Sequence, residues 1–261
     1  MEEQENNRLP QVEKMVGPNE LLSASWQVYR KHFWSFVGIL SLAAIVSLVI
    51  IVLGVIISLM TGGWALLSFF NSDSVLRTLP IVSIFVFTIV FLMFLSLHIM
   101  VQILGTMALT LAVRDRNSGI EIIDSYKKAW PYVRPYLWTT VLSGLVALLG
   151  FILLIIPGII LTIQLIFVPF VVLIEGLSGS KALARSRQYV RGRWWKVVGR
   201  LAILWFIFYA VSISVTLSAA LLINEIIASF LGNIAFFVLV PFGMIYVYLL
   251  YENVKSLHGS N

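Results

Sequence analysis

The residues best placed to do chemistry lie in FVPFVVLIEGLSGSKALARSRQYVRGRWW, positions 167–195. An uncharged apolar run ends there on one carboxylate, Glu175, and a segment carrying Lys181, Arg185, Arg187 and Arg191 follows. An acid so placed has three uses: moving a proton, holding an ion or headgroup, or pairing with a cation to fix the angle between two helices. A helix expected from about Ser178–Ser180 presents its positive dipole end to Glu175. Lys181 or Arg185 is the expected partner. The favoured reading is therefore a structural stitch, with an ion or lipid-headgroup site built with Arg185 and Ser186 as the alternative.

Few other polar groups interrupt the apolar stretches. His98 and Gln102 are four apart, so they share a helix face, and Gln164 stands alone eleven residues before Glu175. Each is expected to make an interhelical hydrogen bond, the usual fate of a polar side chain in hydrocarbon. The functional alternative is a polar path for a substrate or proton. Enzyme signatures are missing: there is no HExxH, no GxSxG, no Gly-rich phosphate loop and no His/Asp/Glu cluster at metal-ligand spacing. With no cysteine, thiolate metal sites, disulfides and a Cys nucleophile are excluded. No catalytic residue, metal or cofactor is expected.

The elements that must carry these residues follow from composition. The chain has 261 residues, 60% hydrophobic and 11% charged, with a mean hydropathy of +0.97. A soluble domain needs about 25% charged residues, so the bilayer is the solvent. About 20 apolar residues cross the hydrocarbon as a helix. Crossings are expected at about 34–60, 80–113, 136–156, 159–174, 197–222 and 230–250, with a helix break at Pro157 and Gly158. The third and fourth have a re-entrant hairpin as their alternative. All but Arg77 of the 18 Lys and Arg residues fall in the tail and loops of one side. The positive-inside rule makes that side, and both termini, cytoplasmic. The basic balance then faces anionic lipid, which argues against nucleic acid. The opening residues, MEEQENNRLPQVEKMVGP, lack an apolar h-region, so no cleaved signal is expected. They read as a flexible cytoplasmic tail over 1–18.

Three segments repeat: ELLSASWQVYRKHFWSFVGIL from Glu20, EIIDSYKKAWPYVRPYLWTTVL from Glu121 and KALARSRQYVRGRWWKVVGRL from Lys181. Each reads as a short amphipathic helix lying in the interface, apolar face toward lipid and cations toward phosphate, followed by an aromatic junction and a membrane hairpin. The expected fold is all-α and integral to the membrane. Six transmembrane helices form three hairpins, each preceded by an interfacial helix. The membrane domain covers 19–254, with units at about 19–113, 120–175 and 179–252, and 255–261 form a short C-terminal tail.

Over about residues 155–200, IPGIILTIQLIFVPFVVLIEG and ALARSRQYVRGRWW resemble the membrane-domain family named after bacterial glycerophosphoryl diester phosphodiesterases, and related six-helix bacterial and archaeal families of unknown function. The matching positions are Pro157, Gly158, Pro169, Glu175, Gly176, Ala182, Leu183, Ser186, Gly192 and Trp195. In the enzymes this domain precedes a catalytic barrel, for which these residues leave no room, so the resemblance implies a membrane module without phosphodiesterase activity. The expected protein is a non-enzymatic scaffold of a prokaryotic inner membrane that binds anionic headgroups or a protein partner. A small transporter or lipid-moving protein is the alternative.

Overall fold

A computed structural model describes residues 15–70 and 79–259. Among them there is no strand, and six helical stretches are long and apolar enough to cross a membrane. Their outer faces carry large apolar side chains, with Leu221 87% and Ile226 83% exposed. Such continuous apolar surface is incompatible with water and matches lipid. The protein is a multi-pass, all-α integral membrane protein.

The chain divides into two compact units. Residues 38–108 form one of them. It holds most of α2 (Phe33–Phe70) and of α3 (Leu79–Arg114). Gly54 brings these two helices together: a Cβ there would stand 3.0 Å from the Cβ of Phe94. At 38 residues, α2 is about 57 Å long, well beyond the hydrocarbon thickness, so it must tilt or project.

Residues up to Val37 and from Leu109 form the other unit. In chain order it contains α1 (Pro18–Lys31), α4 (Ile122–Ala129), α5 (Val133–Leu153), α6 (Ile155–Gln164), α7 (Val168–Glu175), α8 (Ser180–Val190), α9 (Trp194–Leu222) and α10 (Glu225–Gly259). The α9–α10 and α5–α6 pairs are its principal contacts, α1 packs on α10, and α8 packs against α5, α6, α7 and α10.

Several expectations need correcting. The reversal between the third and fourth crossings falls at Leu154, an extended residue with ψ of 151°, not at Pro157-Gly158. Pro157 is in the first turn of α6, where its missing N–H has no partner to lose. Gly158 instead permits close packing: a Cβ on Gly150 would lie 3.0 Å from the Gly158 Cα. The fourth crossing is two short helices, because Pro169 cannot donate to the Leu165 carbonyl and the ladder stops before it. Residues 255–259 belong to α10 rather than to a tail, since Val254 and Leu257 continue its buried face. The 1–18 tail falls largely outside the described residues, but its last part is docked, with Met15 buried. Arg77, the one basic residue assigned to the opposite side, also lies outside them.

The short amphipathic helices are present at the three repeat positions, but the apolar faces of α1 and α8 meet protein rather than lipid. Leu21, Ser25 and Tyr29 of α1 are buried, as are Ala182, Leu183, Ser186, Tyr189 and Val190 of α8. The aromatic residues that open the next helices do face outward: Trp34, Trp138 and Trp195 are 64–81% exposed.

Candidate functional site: the Glu175 junction

The junction forms where α7 ends. Gly176 adopts a left-handed conformation, φ 69°, which stops the helix, and Gly179 turns the chain again at φ 59°. The Gly179 amide donates to Thr139 Oγ1 at 2.8 Å, fixing this loop against α5. Between them these turns send α8 back alongside α7, so Arg185 returns to the acid ten residues before it.

Glu175 has only 11% of its side chain exposed. Its Oε1 accepts hydrogen bonds from the Tyr189 and Tyr251 hydroxyls, each at 2.6 Å, and lies 3.7 Å from Lys255 Nζ. Its Oε2 accepts from Arg185 Nε at 3.2 Å. The cations also rest on the phenol rings, with Arg185 5.0 Å from the Tyr189 centroid and Lys255 5.6 Å from that of Tyr251. Tyr251 stacks on Phe170 at 5.4 Å and Tyr189 meets His258 edge-on at 5.5 Å. One carboxylate thus joins α7, α8 and the end of α10. Burial and the Glu175 acceptor push the Tyr189 phenol up to about 12, so it stays a donor at neutral pH.

A carboxylate offers about four lone-pair directions. Three donors and a nearby ammonium crowd this one, so acting as a base or an ion ligand would require breaking the junction. The arrangement is that of a stitch.

The structure sorts the sequence candidates. Of the two expected partners, Arg185 reaches Glu175, while Lys181 is exposed and forms no ion pair among the described residues. Ser186 cannot serve a headgroup site, because it is fully buried and donates to the Gln164 carbonyl at 2.7 Å. That carbonyl is free because α6 ends there, so Ser186 caps α6. Gln164 therefore contributes its backbone to an interhelical bond. His98 and Gln102 lie on α3 within residues 38–108. Gln102 is exposed, and the Nδ1 of His98 is buried without a hydrogen-bond partner. Arg187 is partly buried and Arg191 exposed.

Tyr189, Tyr251 and Lys255 were not recognised as site residues in the sequence. Tyr189 follows Arg185 by four, and Lys255 follows Tyr251 by four, so both pairs share a helix face; that spacing is the signal that could have found them.

Other polar contacts tie the same end of this unit. The buried Arg200 donates from Nε to the Val16 carbonyl at 3.2 Å, and the Val16 amide donates to Asn253 Oδ1 at 3.1 Å. Arg116 pairs with Glu252 at 3.2 Å. Asp115 accepts from Arg114 at 2.8 Å and from Lys128 at 3.1 Å, and the Arg114 hydrogen bond holds its carboxyl below the usual range. Among the described residues no group of three His, Asp or Glu could hold a metal ion. No protein-family model matches the chain, and neither a curated protein nor a solved structure matches it.

Proposed function

We propose that the protein is a non-enzymatic membrane scaffold that gathers anionic lipid headgroups at its basic end. We place it in the inner membrane of a prokaryote, with both termini cytoplasmic, and among the phosphodiesterase-type membrane domains that residues 155–200 resemble. One observation carries the reading. The junction uses Arg185 and Lys255 to neutralise Glu175, yet Lys181, Arg187, Arg191, Arg193 and Lys196 have no carboxylate partner among the described residues. Unpaired cations beside the exposed Trp195 suit a surface that meets lipid phosphate, with the indole in the interface. A protein partner would be engaged on the same surface.

The test is native mass spectrometry of the full chain released from nanodiscs that mix phosphatidylglycerol and phosphatidylcholine. Selective retention of phosphatidylglycerol is expected. It should fall in the Lys181→Gln/Arg187→Gln/Arg191→Gln variant, which leaves the Glu175 junction intact. Each cation near an anionic surface is worth about 1 kcal/mol, so the triple change should weaken retention by about 100-fold at low salt. Equal retention of both lipids by the unaltered chain would overturn the headgroup reading.

A further inference from the structure

Residues 38–108 contain a feature that the basic end does not explain. Between α2 and α3 lies a cavity of about 300 Å3, lined by Gly54 and Ser58 of α2 and by Phe87, Phe91, Phe94 and His98 of α3, among others. The Phe87 and Phe91 rings are parallel within 12°, with centroids 6.3 Å apart. The walls are apolar except at Ser58 and His98. The Nδ1 of His98 is buried and has no hydrogen-bond partner.

A polar atom without a partner is costly in hydrocarbon and marks a place where a ligand atom belongs. His98 is 19 residues from Leu79 and 16 from Arg114, the ends of α3, or about 29 and 24 Å along the helix. At that depth a phospholipid offers only methylene groups, which cannot satisfy a ring nitrogen. The occupant must be apolar, must match aromatic walls and must carry a polar atom far from either membrane surface.

We propose that this cavity binds a flat, lipid-soluble ring bearing a carbonyl or hydroxyl, of the quinone class. The ring packs on the phenylalanines, its oxygen meets His98 Nδ1 and its tail leaves into the bilayer. An imidazole nitrogen donates or accepts according to tautomer, so it suits a quinone carbonyl and a quinol hydroxyl alike. The volume is at the lower end for small-molecule sites, enough for one ring.

The test uses the full chain in phosphatidylcholine nanodiscs, with decylubiquinone as the probe and decylbenzene as a ring that lacks the oxygens. The unaltered chain should retain one decylubiquinone and bind decylbenzene about tenfold more weakly, the loss expected for one hydrogen bond within a membrane. His98→Phe should abolish that preference, Ser58→Phe should exclude both probes by filling the cavity, and Gln102→Leu should change nothing. The comparison of the two probes needs no variant, so a misfolded His98→Phe leaves the proposal open to refutation. Equal binding of the two probes, undiminished retention by His98→Phe, or displacement of the quinone by added phosphatidylcholine would overturn it. The last result would mark an acyl-chain groove.

Discussion

Replacing Glu175 by Gln removes one charge and keeps the shape, which makes it the sharpest probe of the junction. Both phenol bonds to Oε1 are 2.6 Å long, at the short end expected for a hydroxyl on a carboxylate. Hydrogen bonds to charged groups contribute about 1.5–3 kcal/mol and neutral ones about 0.5–1.5, so each phenol bond should lose about 1 kcal/mol. The new amide would set its NH2 against Arg185 Nε, donor against donor. Arg185 is 38% exposed, so water recovers part of that loss and about 1 kcal/mol remains. Lys255, 41% exposed and 3.7 Å away, adds little. The sum is about 3 kcal/mol. At 2–4 °C per kcal/mol for a chain of this size, the melting temperature in detergent should fall by about 6–12 °C. Circular dichroism melts of the full chain measure it, and a double-mutant cycle with Tyr251→Phe should show a coupling of about 1 kcal/mol. A Glu175→Gln protein that melts within a degree of the unaltered one, or strict additivity in the cycle, would refute the stitch.

Three further outcomes follow from the same contacts. Gly150→Ala would place a Cβ 2.7 Å from Leu161 Cδ1 and 3.0 Å from the Gly158 Cα; the overpacked α5–α6 hairpin should lose about 1–3 kcal/mol, read as a lower melting temperature. Asn253→Ala removes the acceptor of the Val16 amide, so the segment before Pro18 should loosen and limited proteolysis there should quicken with little change in the global melt. The Tyr189 phenol, raised from 10.0 to about 12, binds its proton more tightly folded than unfolded. Its contribution is therefore complete below pH 10 and lost as pH rises towards 12, so the melting-temperature gap between the unaltered chain and Tyr189→Phe should be constant from pH 7 to 9 and shrink above pH 10.

The six crossings were legible because a charge-free run of 20 residues has few alternatives in any solvent. The internal architecture of the fourth was not. Pro157 and Pro169 look alike in a sequence, yet their effects depend on where each falls in a helix. In the first turn of α6 the missing Pro157 N–H has no carbonyl to lose, so nothing breaks there. Pro169 falls where a continuous crossing would need a donor, so residues 165–167 leave the helix and α7 restarts. Pro241 shows a third outcome inside α10: the helix continues, and the Tyr29 hydroxyl donates to the nearby Val238 carbonyl at 2.8 Å. The carbonyl that Pro241 leaves without its donor is that of Phe237; the Tyr29 bond to the next carbonyl comes from a helix more than 200 positions away in the chain. No local pattern announces it.

The same separation explains why Glu175 was legible while most of its partners were not. Its isolation at the end of an apolar run marked it as a residue needing a cation, and Arg185 was near enough in sequence to be named. Tyr251 and Lys255 come from the far end of the chain. Within three turns of α10, five residues serve four different neighbours: Tyr246 donates to the Arg200 carbonyl, Tyr251 and Lys255 serve Glu175, Glu252 takes Arg116 and Asn253 takes Val16. In the sequence these residues look like the polar flank of a last crossing, the usual place for tyrosines and a lysine at a membrane surface. Their distribution around the helix lets one rigid element meet several others, because positions three and four apart share a face while intermediate ones point elsewhere. The helix therefore had to extend past the apolar run, to Gly259. Of the residues that looked like a tail, Lys255 reaches Glu175 and His258 meets Tyr189, so the extension of α10 fastens α7 and α8.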